Sequence, residues 1–261
     1  MDLLSSGDAG DLAAYLAAES SLAGPRTNQD LTEAFAKAVR EFAAADPEDR
    51  RILRDLCVEL ACISPEDAPT DDPHEFLSVC GVRGIAAMGT VSPGCVKAAL
   101  RKLAESADDP RWRIRDAAAI GLKDLLARHR DVTVSELNGW VEGGSWSAMR
   151  AVAAGVADAD VLREPDLAEA ALRLHRKILI RVYTAGERES EDFHALRKTL
   201  GCTLSRVVAA IPSSGFEYLQ QVSTLDDQEI RWIVRENLKD NHLAGHYPET
   251  VRHIQAQIGE R

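Results

Sequence analysis

Residues 109–122 have the sequence DPRWRIRDAAAIGL, and this stretch decides the fold of the chain. Its apolar and small residues recur every three or four positions, at Ile114, Ala117, Ala118, Gly121 and Leu122. That spacing is the period of an α-helix with one buried face. Small side chains let a neighbouring helix approach closely, so the stretch predicts a helix that packs against other helices.

The same period runs through the rest of the chain, and the prolines indicate where helices begin. Proline fits the first turn of a helix, and several prolines follow a capping residue, at 46–47, 64–65, 72–73, 92–93 and 109–110. Capping boxes predict two further starts, at Thr133 with Glu136 and at Ser214 with Glu217. No run of alternating apolar and polar residues indicates a strand. The sequence therefore predicts an all-α chain, with helices over 9–19, 28–45, 48–63, 73–89, 93–106, 111–129, 133–142, 145–157, 166–185, 191–211, 214–222, 227–239 and 247–258.

An internal repeat shows how these helices are organised. The octet RWRIRDAA at 111–118 is matched by RWIVRENL at 231–238, and each octet follows a pair of aspartates. The two octets lie 120 residues apart, which is three units of 40 residues. A looser copy at 146–155 keeps the tryptophan, the arginine and the small residues. A repeat of this length is typical of stacked helix pairs.

The pattern in residues 109–122, an acid and a turn followed by I-R-x-A-A-x-x-G-L, resembles the second helix of a HEAT repeat. The resemblance is good over roughly 92–160 and 224–243 and weak over 166–222. It implies a right-handed α-solenoid of about six helix pairs whose second helices line a concave face. We therefore predict one solenoid domain over 1–261, with acidic helices in 1–90, HEAT-like repeats in 92–243 and a carboxyl-terminal helix in 244–261.

The acidic excess of the chain is confined to its amino-terminal part. The formal net charge is −11; residues 1–75 hold 17 acidic and 6 basic residues, whereas residues 76–261 hold 25 of each. Residues 97–130 carry nine basic and five acidic residues. The total disfavours a general nucleic-acid-binding protein, but it leaves room for a basic groove in the middle of the solenoid.

The sequence shows neither a secretion signal nor a membrane span. The start, MDLLSSGDAG, has acids where a signal peptide needs lysine or arginine. No stretch approaches the roughly 20 apolar residues that span a bilayer. The five cysteines are odd in number and form no C-x-x-C pair. We therefore expect a cytoplasmic protein without membrane contact.

Motifs for nucleotide binding, metal binding or nucleophilic catalysis do not occur in the chain. It has no G-x-x-x-x-G-K-S/T loop, no H-E-x-x-H and no G-x-S-x-G. His242, His246 and His253 are separated by Gly245 and Pro248, which would interrupt a shared helix face. The sequence predicts no cofactor and no metal site, and the leading hypothesis assigns no catalytic residue.

The remaining candidates are tryptophans and arginines at repeat-equivalent positions. They are Trp112, Trp146 and Trp232, with Arg111, Arg115, Arg150 and Arg235. On second helices these side chains would face the concave surface, although the arginines equally fit ladders between successive repeats. The leading hypothesis is a non-catalytic scaffold or binding protein that takes a protein or peptide on that surface. The oligomeric state is not indicated.

An alternative hypothesis follows from a resemblance to HEAT-like DNA glycosylases that excise alkylated purines. Their groove presents a tryptophan, an aspartate one turn later and an arginine one repeat further on. The matching positions here are Trp112, Asp116 and Arg150. The resemblance implies that Asp116 would stabilise an oxocarbenium-like sugar, that Trp112 would pack on the damaged nucleotide and that Arg150 would hold a phosphate.

Two further observations bear on that alternative. The family pattern includes a second pocket tryptophan, whereas the matching region of this sequence has only Tyr183 or Phe193. Trp232 and Glu236 repeat the Trp-x-x-x-acid spacing in the last unit. Because that unit would hold no active site, the spacing is more simply explained as a structural feature of each second helix.

Overall fold

The structure is a computed structural model that describes residues 9–22 and 27–259. Over these residues it has 15 helices and no strand, which confirms the predicted all-α fold. Residues 1–8, 23–26 and 260–261, which include parts of the predicted acidic amino-terminal segment and the end of the carboxyl-terminal segment, lie outside the described residues.

The chain divides into two compact units, Met1–Thr133 and Val134–Arg261. The first contains α1 (Ala9–Ala18), α2 (Gln29–Ala45), α3 (Pro47–Ala61), α4 (Glu75–Val91), α5 (Pro93–Ala107) and α6 (Trp112–Arg128). Helix α7 (Arg130–Gly143) crosses the boundary. The second contains α8 (Trp146–Val156), α9 (Ala159–Leu162), α10 (Pro165–Thr184), α11 (Glu191–Ala210), α12 (Pro212–Ser223), α13 (Gln228–Lys239), α14 (Asn241–Ala244) and α15 (Pro248–Gly259). The single domain over 1–261 stays a prediction.

Helix α4 is the centre of the first unit. It contacts α2, α3, α5 and α6, and every residue from Glu75 to Gly89 is buried. Glycine permits the closest approach, because a Cβ on Gly81 would lie 2.3 Å from the backbone nitrogen of Ala61 in α3. Helices α2, α4 and α6 adjoin in one layer, which we call the first layer, and α3 and α5 pack behind it.

A buried arginine joins the three helices of the first layer. Arg83 of α4 donates to Glu33 of α2 at 2.8 Å and to Asp124 of α6 at 2.6 Å. Its side chain is 3% exposed, so these ion pairs are shielded from water on the arginine side. The three helices are therefore linked by charge as well as by apolar packing.

The second unit repeats this arrangement with other helices. Helices α8, α11 and α13 adjoin in a second layer; α10 packs against all three, and α12 packs against α11 and α13. The core runs along α11, where Phe193, Leu196, Leu200 and Leu204 are fully buried. In both units most helices pack against the next helix along the chain, and the adjoining helices of each layer lie two or three places apart along the chain. Contacts between helices close in the chain are typical of stacked helix pairs.

Some predicted helix starts were correct and others were wrong. Pro47 begins α3, and the Asp46 side chain accepts from the backbone N–H of Glu48. Both capping boxes were wrong, because α7 begins at Arg130 and α12 at Pro212. In each case the helical hydrogen bonds already include the proposed cap: the N–H of Thr133, for example, donates to His129 at 3.0 Å. The four-residue helices α9 and α14 were not predicted, since they are too short to show a period.

A buried histidine links α10 to α11. His175 is fully buried; its Nδ1 lies 2.9 Å from the carbonyl oxygen of Ala171, and its Nε2 lies 3.0 Å from the Thr203 hydroxyl. This arrangement fits a neutral ring that donates through Nδ1 and accepts through Nε2. Burial lowers the pKa of His175 from 6.5 to about 4, because the charged ring would lose its hydration.

We expect His175 to make the protein less stable as the pH falls from 6.5 to 4. Over this range the unfolded chain binds a proton at His175 and the folded chain does not, so the free energy of unfolding falls, by about 3 kcal/mol in total. Urea unfolding followed by circular dichroism measures the free energy of unfolding at each pH. Other groups also titrate over this pH range, so the control is the His175→Gln variant. Its free energy of unfolding should fall less steeply as the pH is lowered. Parallel pH profiles of the two proteins would contradict the prediction.

Candidate binding surface

Arg111, one of the predicted surface contacts, lies in the interior. It precedes α6 and is 2% exposed. Its guanidinium pairs with both carboxylate oxygens of Asp109, at 2.9 and 2.8 Å, and donates to the carbonyl oxygens of Ile63 and Ala68 and to the Ser78 hydroxyl. Arg111 therefore fastens the segment between α3 and α4 to the start of α6, and it is not part of an exposed face.

The neighbouring tryptophan remains at the surface. Trp112 begins α6 and is 40% exposed. The guanidinium carbon of Arg113 lies 4.4 Å from the centre of its ring, a cation–π contact. Arg113 is itself buried and donates to Asp71 at 2.7 Å and to Glu75 at 3.1 Å. The ring thus rests on a cation that two carboxylates hold in place.

The rest of the exposed side of α6 continues from Trp112. Asp116 is half-buried one turn later, and Ile120, another turn on, is 43% exposed. Arg115 points back along the chain, where it donates to the carbonyl oxygens of Asp109 and Pro110, both at 2.8 Å. We call Trp112, Asp116 and Ile120 the α6 face. It turns away from the buried side of the helix, which includes Ile114, Ala118 and Leu125.

The second unit holds its tryptophans differently. Trp146 of α8 is half-buried, and its ring makes a T-shaped contact with the Phe193 ring, with the ring centres 5.3 Å apart. Phe193 is fully buried, so it lies in the core and not in a surface pocket. Arg150 is half-buried one turn after Trp146. The alternative hypothesis requires a second aromatic residue at the surface. Of its two candidates, Tyr183 is 45% exposed and Phe193 is buried.

Trp232 lies between α13 and α11. The guanidinium carbon of Arg197 lies 3.8 Å from its ring centre, and Arg197 forms an ion pair with Glu229. The ring packs over Gly201, where a Cβ would lie 3.0 Å from the ring. Arg235, one turn before Lys239, is exposed. Trp232 is half-buried, so less of its ring faces solvent than in Trp112.

Sequence reasoning missed the two arginines that support these rings. Arg113 directly follows Trp112, but the repeat comparison drew attention to Arg111 and Arg115 instead. A sequence signal existed, because the helical period places Arg113 on the α4 side of α6 together with Ala117. Arg197 is 35 residues before Trp232, and no local pattern connects them.

The exposed side chains around these tryptophans can bind a partner through noncovalent contacts. Among the described residues, no group of three or more His, Cys, Asp or Glu is placed to hold a metal ion. No helix in the described part of the chain is long and apolar enough to cross a membrane. The α6 face offers a supported aromatic ring, a carboxylate and an aliphatic side chain, which together can contact an apolar or basic side chain.

The described part of the chain is all-α and consists of helices that pack against their neighbours. Among solved structures it is similar to a designed armadillo repeat protein, with 15% identity over 84% of this chain and 95% of that chain and a TM-score of 0.34. It is also similar to an engineered protein, with 16% identity over 92% of this chain and 97% of that chain and a TM-score of 0.33. No family model matches the sequence. No curated protein matches it.

Proposed function

We propose that the chain is a non-catalytic binding protein that takes a protein or peptide partner on the α6 face, with Trp112 as the central contact. One observation carries the proposal: Trp112 is 40% exposed while its ring rests on the buried guanidinium of Arg113. Tryptophan is enriched among the residues that contribute most to protein interfaces. A ring that is already held in place loses little freedom when a partner covers it.

The surroundings of Trp112 support a contact surface of useful size. Ile120 lies eight residues further along α6, which is about 12 Å along the helix axis. Two apolar contacts at this distance match side chains about two turns apart on a helix, or about four residues apart on an extended peptide. The half-buried Asp116 lies between them along the helix.

The test begins with a displayed library of random 16-residue peptides, selected against the full chain. We expect Trp112→Ala to weaken the selected peptides about 30-fold, which corresponds to about 2 kcal/mol and is typical of an interface hot spot. Fluorescence anisotropy of labelled peptides measures the dissociation constants. Circular dichroism checks that the variant keeps its helix content.

The matched control is Tyr15→Ala, because Tyr15 is an aromatic residue of α1 with similar exposure, 48%. It should leave the dissociation constants within about threefold of the original value. Equal binding by Trp112→Ala and the unchanged protein would overturn the proposal. So would the failure of any peptide to bind while duplex DNA binds with an affinity that falls steeply as salt increases.

The DNA glycosylase is not proposed, because the described residues explain its tryptophan–acid spacing as a packing feature. Phe193 is buried, and Trp232 shows that a tryptophan with an acid one turn later occurs in the last repeat as a packing feature over Gly201. Asp116 therefore enters the proposal as part of a contact surface and not as a catalytic group.

A further inference from the structure

The second unit has an apolar patch on the outward side of α10. Ile180 is 60% exposed and Tyr183 is 45% exposed, and they lie one turn apart on the same side of the helix. Ile180 has the greatest exposure among the large apolar side chains of the described residues. Single exposed apolar residues are common, whereas neighbouring ones form a patch that a partner can cover. The opposite side of α10, with Leu174, Ile178 and Val182, is buried.

Basic residues surround this patch, and one of them ties α10 to α7. Lys177 pairs with Glu142 of α7 at 2.6 Å, and Arg173 pairs with Glu169 at 3.7 Å. Although paired, the two basic side chains are 41% and 61% exposed, so both remain accessible to a partner.

Two further arginines carry charge that no carboxylate of the described residues balances. The Arg176 guanidinium lies over the Tyr218 ring, 4.7 Å from its centre. Arg181 donates to the backbone carbonyl oxygens of Val141 and Glu142. With Arg173 and Lys177 offset by one acid each, the patch keeps an excess of about two positive charges.

The sign of this charge is informative because residues 76–261, which include α10, hold equal numbers of acidic and basic residues, 25 of each. A basic patch around exposed apolar side chains is a local departure from that balance. The nearby acids Glu187 and Glu189 lie beyond the end of the helix. Arg188 between them pairs with Asp227 and donates to the carbonyl oxygen of Tyr183.

We propose that this surface, formed by Arg173, Arg176, Lys177, Ile180, Arg181 and Tyr183 and here called the α10 face, docks an acidic amphipathic helix of a protein partner. The eleven residues from Arg173 to Tyr183 span about 15 Å, the length of a helix of about three turns. Apolar side chains of the partner cover Ile180 and Tyr183, and its carboxylates meet the basic residues on either side. This surface shares no residue with the α6 face.

Other anionic partners fit the α10 face less well. An anionic membrane fits less well because two apolar side chains give little area for insertion. A nucleic acid would need donors at the centre of the patch, where Ile180 offers none. These partners are therefore tested as competing outcomes.

The experiment selects a displayed library of random 16-residue peptides against the full chain and removes peptides that also bind the Ile180→Glu variant. We expect the surviving peptides to be acidic, with two apolar residues three or four positions apart. Ile180→Glu should weaken them at least tenfold, because it removes apolar area and adds a repelling charge. Raising the salt from 0.1 to 0.5 M should also weaken them.

The chain offers a matched control for Ile180→Glu and another for a second test variant, Arg173→Glu. Ile52 of α3 is 51% exposed, so Ile52→Glu makes the same substitution on another exposed helix. Arg173→Glu should weaken the peptides at least tenfold, whereas Arg54→Glu, at a side chain of similar exposure, 60%, should leave binding within about threefold. Thermal unfolding should be nearly unchanged, because each altered residue is exposed.

Several outcomes would overturn the proposal. They are surviving peptides that are basic or neutral, no surviving peptide, equal weakening by Ile52→Glu, and binding of phosphatidylserine vesicles or duplex DNA that Ile180→Glu removes. None of these outcomes bears on Trp112, so the α6 proposal stands or fails separately.

Discussion

Arg111→Ala is expected to lower the free energy of unfolding by about 3–5 kcal/mol, which is the usual cost of breaking a buried ion pair by removing one partner. The Asp109 side chain, 16% exposed, would keep its charge without the guanidinium that pairs with it. The carbonyl oxygens of Ile63 and Ala68 would lose their donors in the interior as well. Urea unfolding followed by circular dichroism measures the loss.

The matched control is Arg231→Ala, at the equivalent position of the matching octet. The Arg231 side chain is 24% exposed, and its partner Asp226 is 92% exposed, so water screens the pair. The expected loss is below about 1 kcal/mol. Equal losses for the two variants would show that Arg111 does not fasten the segment between α3 and α4 as described.

Gly81→Ala is expected to lower the free energy of unfolding by about 3 kcal/mol or more. The added Cβ would lie 2.3 Å from the backbone nitrogen of Ala61 and 2.8 Å from the carbonyl oxygen of Cys57. Both atoms belong to the backbone of α3, which cannot move aside as a side chain does, so the two helices would have to separate. Because α4 is the centre of the first unit, the effect should spread to all the helices packed around it.

The control for Gly81→Ala is Gly139→Ala, the same substitution in α7. A Cβ on Gly139 meets nothing within 4 Å, and the residue is exposed. Alanine should therefore stabilise the helix by about 0.5–1 kcal/mol, because glycine loses more backbone freedom on folding. Urea unfolding of both variants tests the pair. If Gly81→Ala were as stable as the unchanged protein, the close contact of α3 and α4 would be wrong.

The local sequence predicted most helices because their signals are local. The apolar period and the residue before each start act within one or two turns, as at Asp227, which accepts from the N–H groups of Glu229 and Ile230. Asp109 shows where this reasoning fails. It precedes a proline as a cap would, yet α6 begins at Trp112, and the Asp109 carboxylate accepts from the backbone N–H and the guanidinium of Arg111, two residues further on. The long-range part of this arrangement, from Arg111 to the carbonyl oxygens of Ile63 and Ala68, left no local signal in the sequence.

The candidate surface was predicted only in part. The repeat comparison placed tryptophans on corresponding helices, and Trp112 and Trp232 both have a ring stacked on an arginine. It did not identify the arginines under these rings. Arg113 lies on the same helix as Trp112, whereas Arg197 lies on a different helix from Trp232. No single sequence spacing therefore connects a ring with its arginine. Nor did the repeat comparison draw attention to Ile180, since an exposed isoleucine in an amphipathic helix departs only slightly from the expected period.

The sequence by itself determined that this protein is all-α and built from stacked helices, because the 3.6-residue period and the caps are properties of neighbouring residues. It also placed Arg111 and Arg231 at equivalent positions in matching octets. Only the tertiary structure decided that Arg111 is buried while Arg231 is partly exposed. The physical reason is that burial depends on what lies across from a residue: the segment between α3 and α4 covers Arg111.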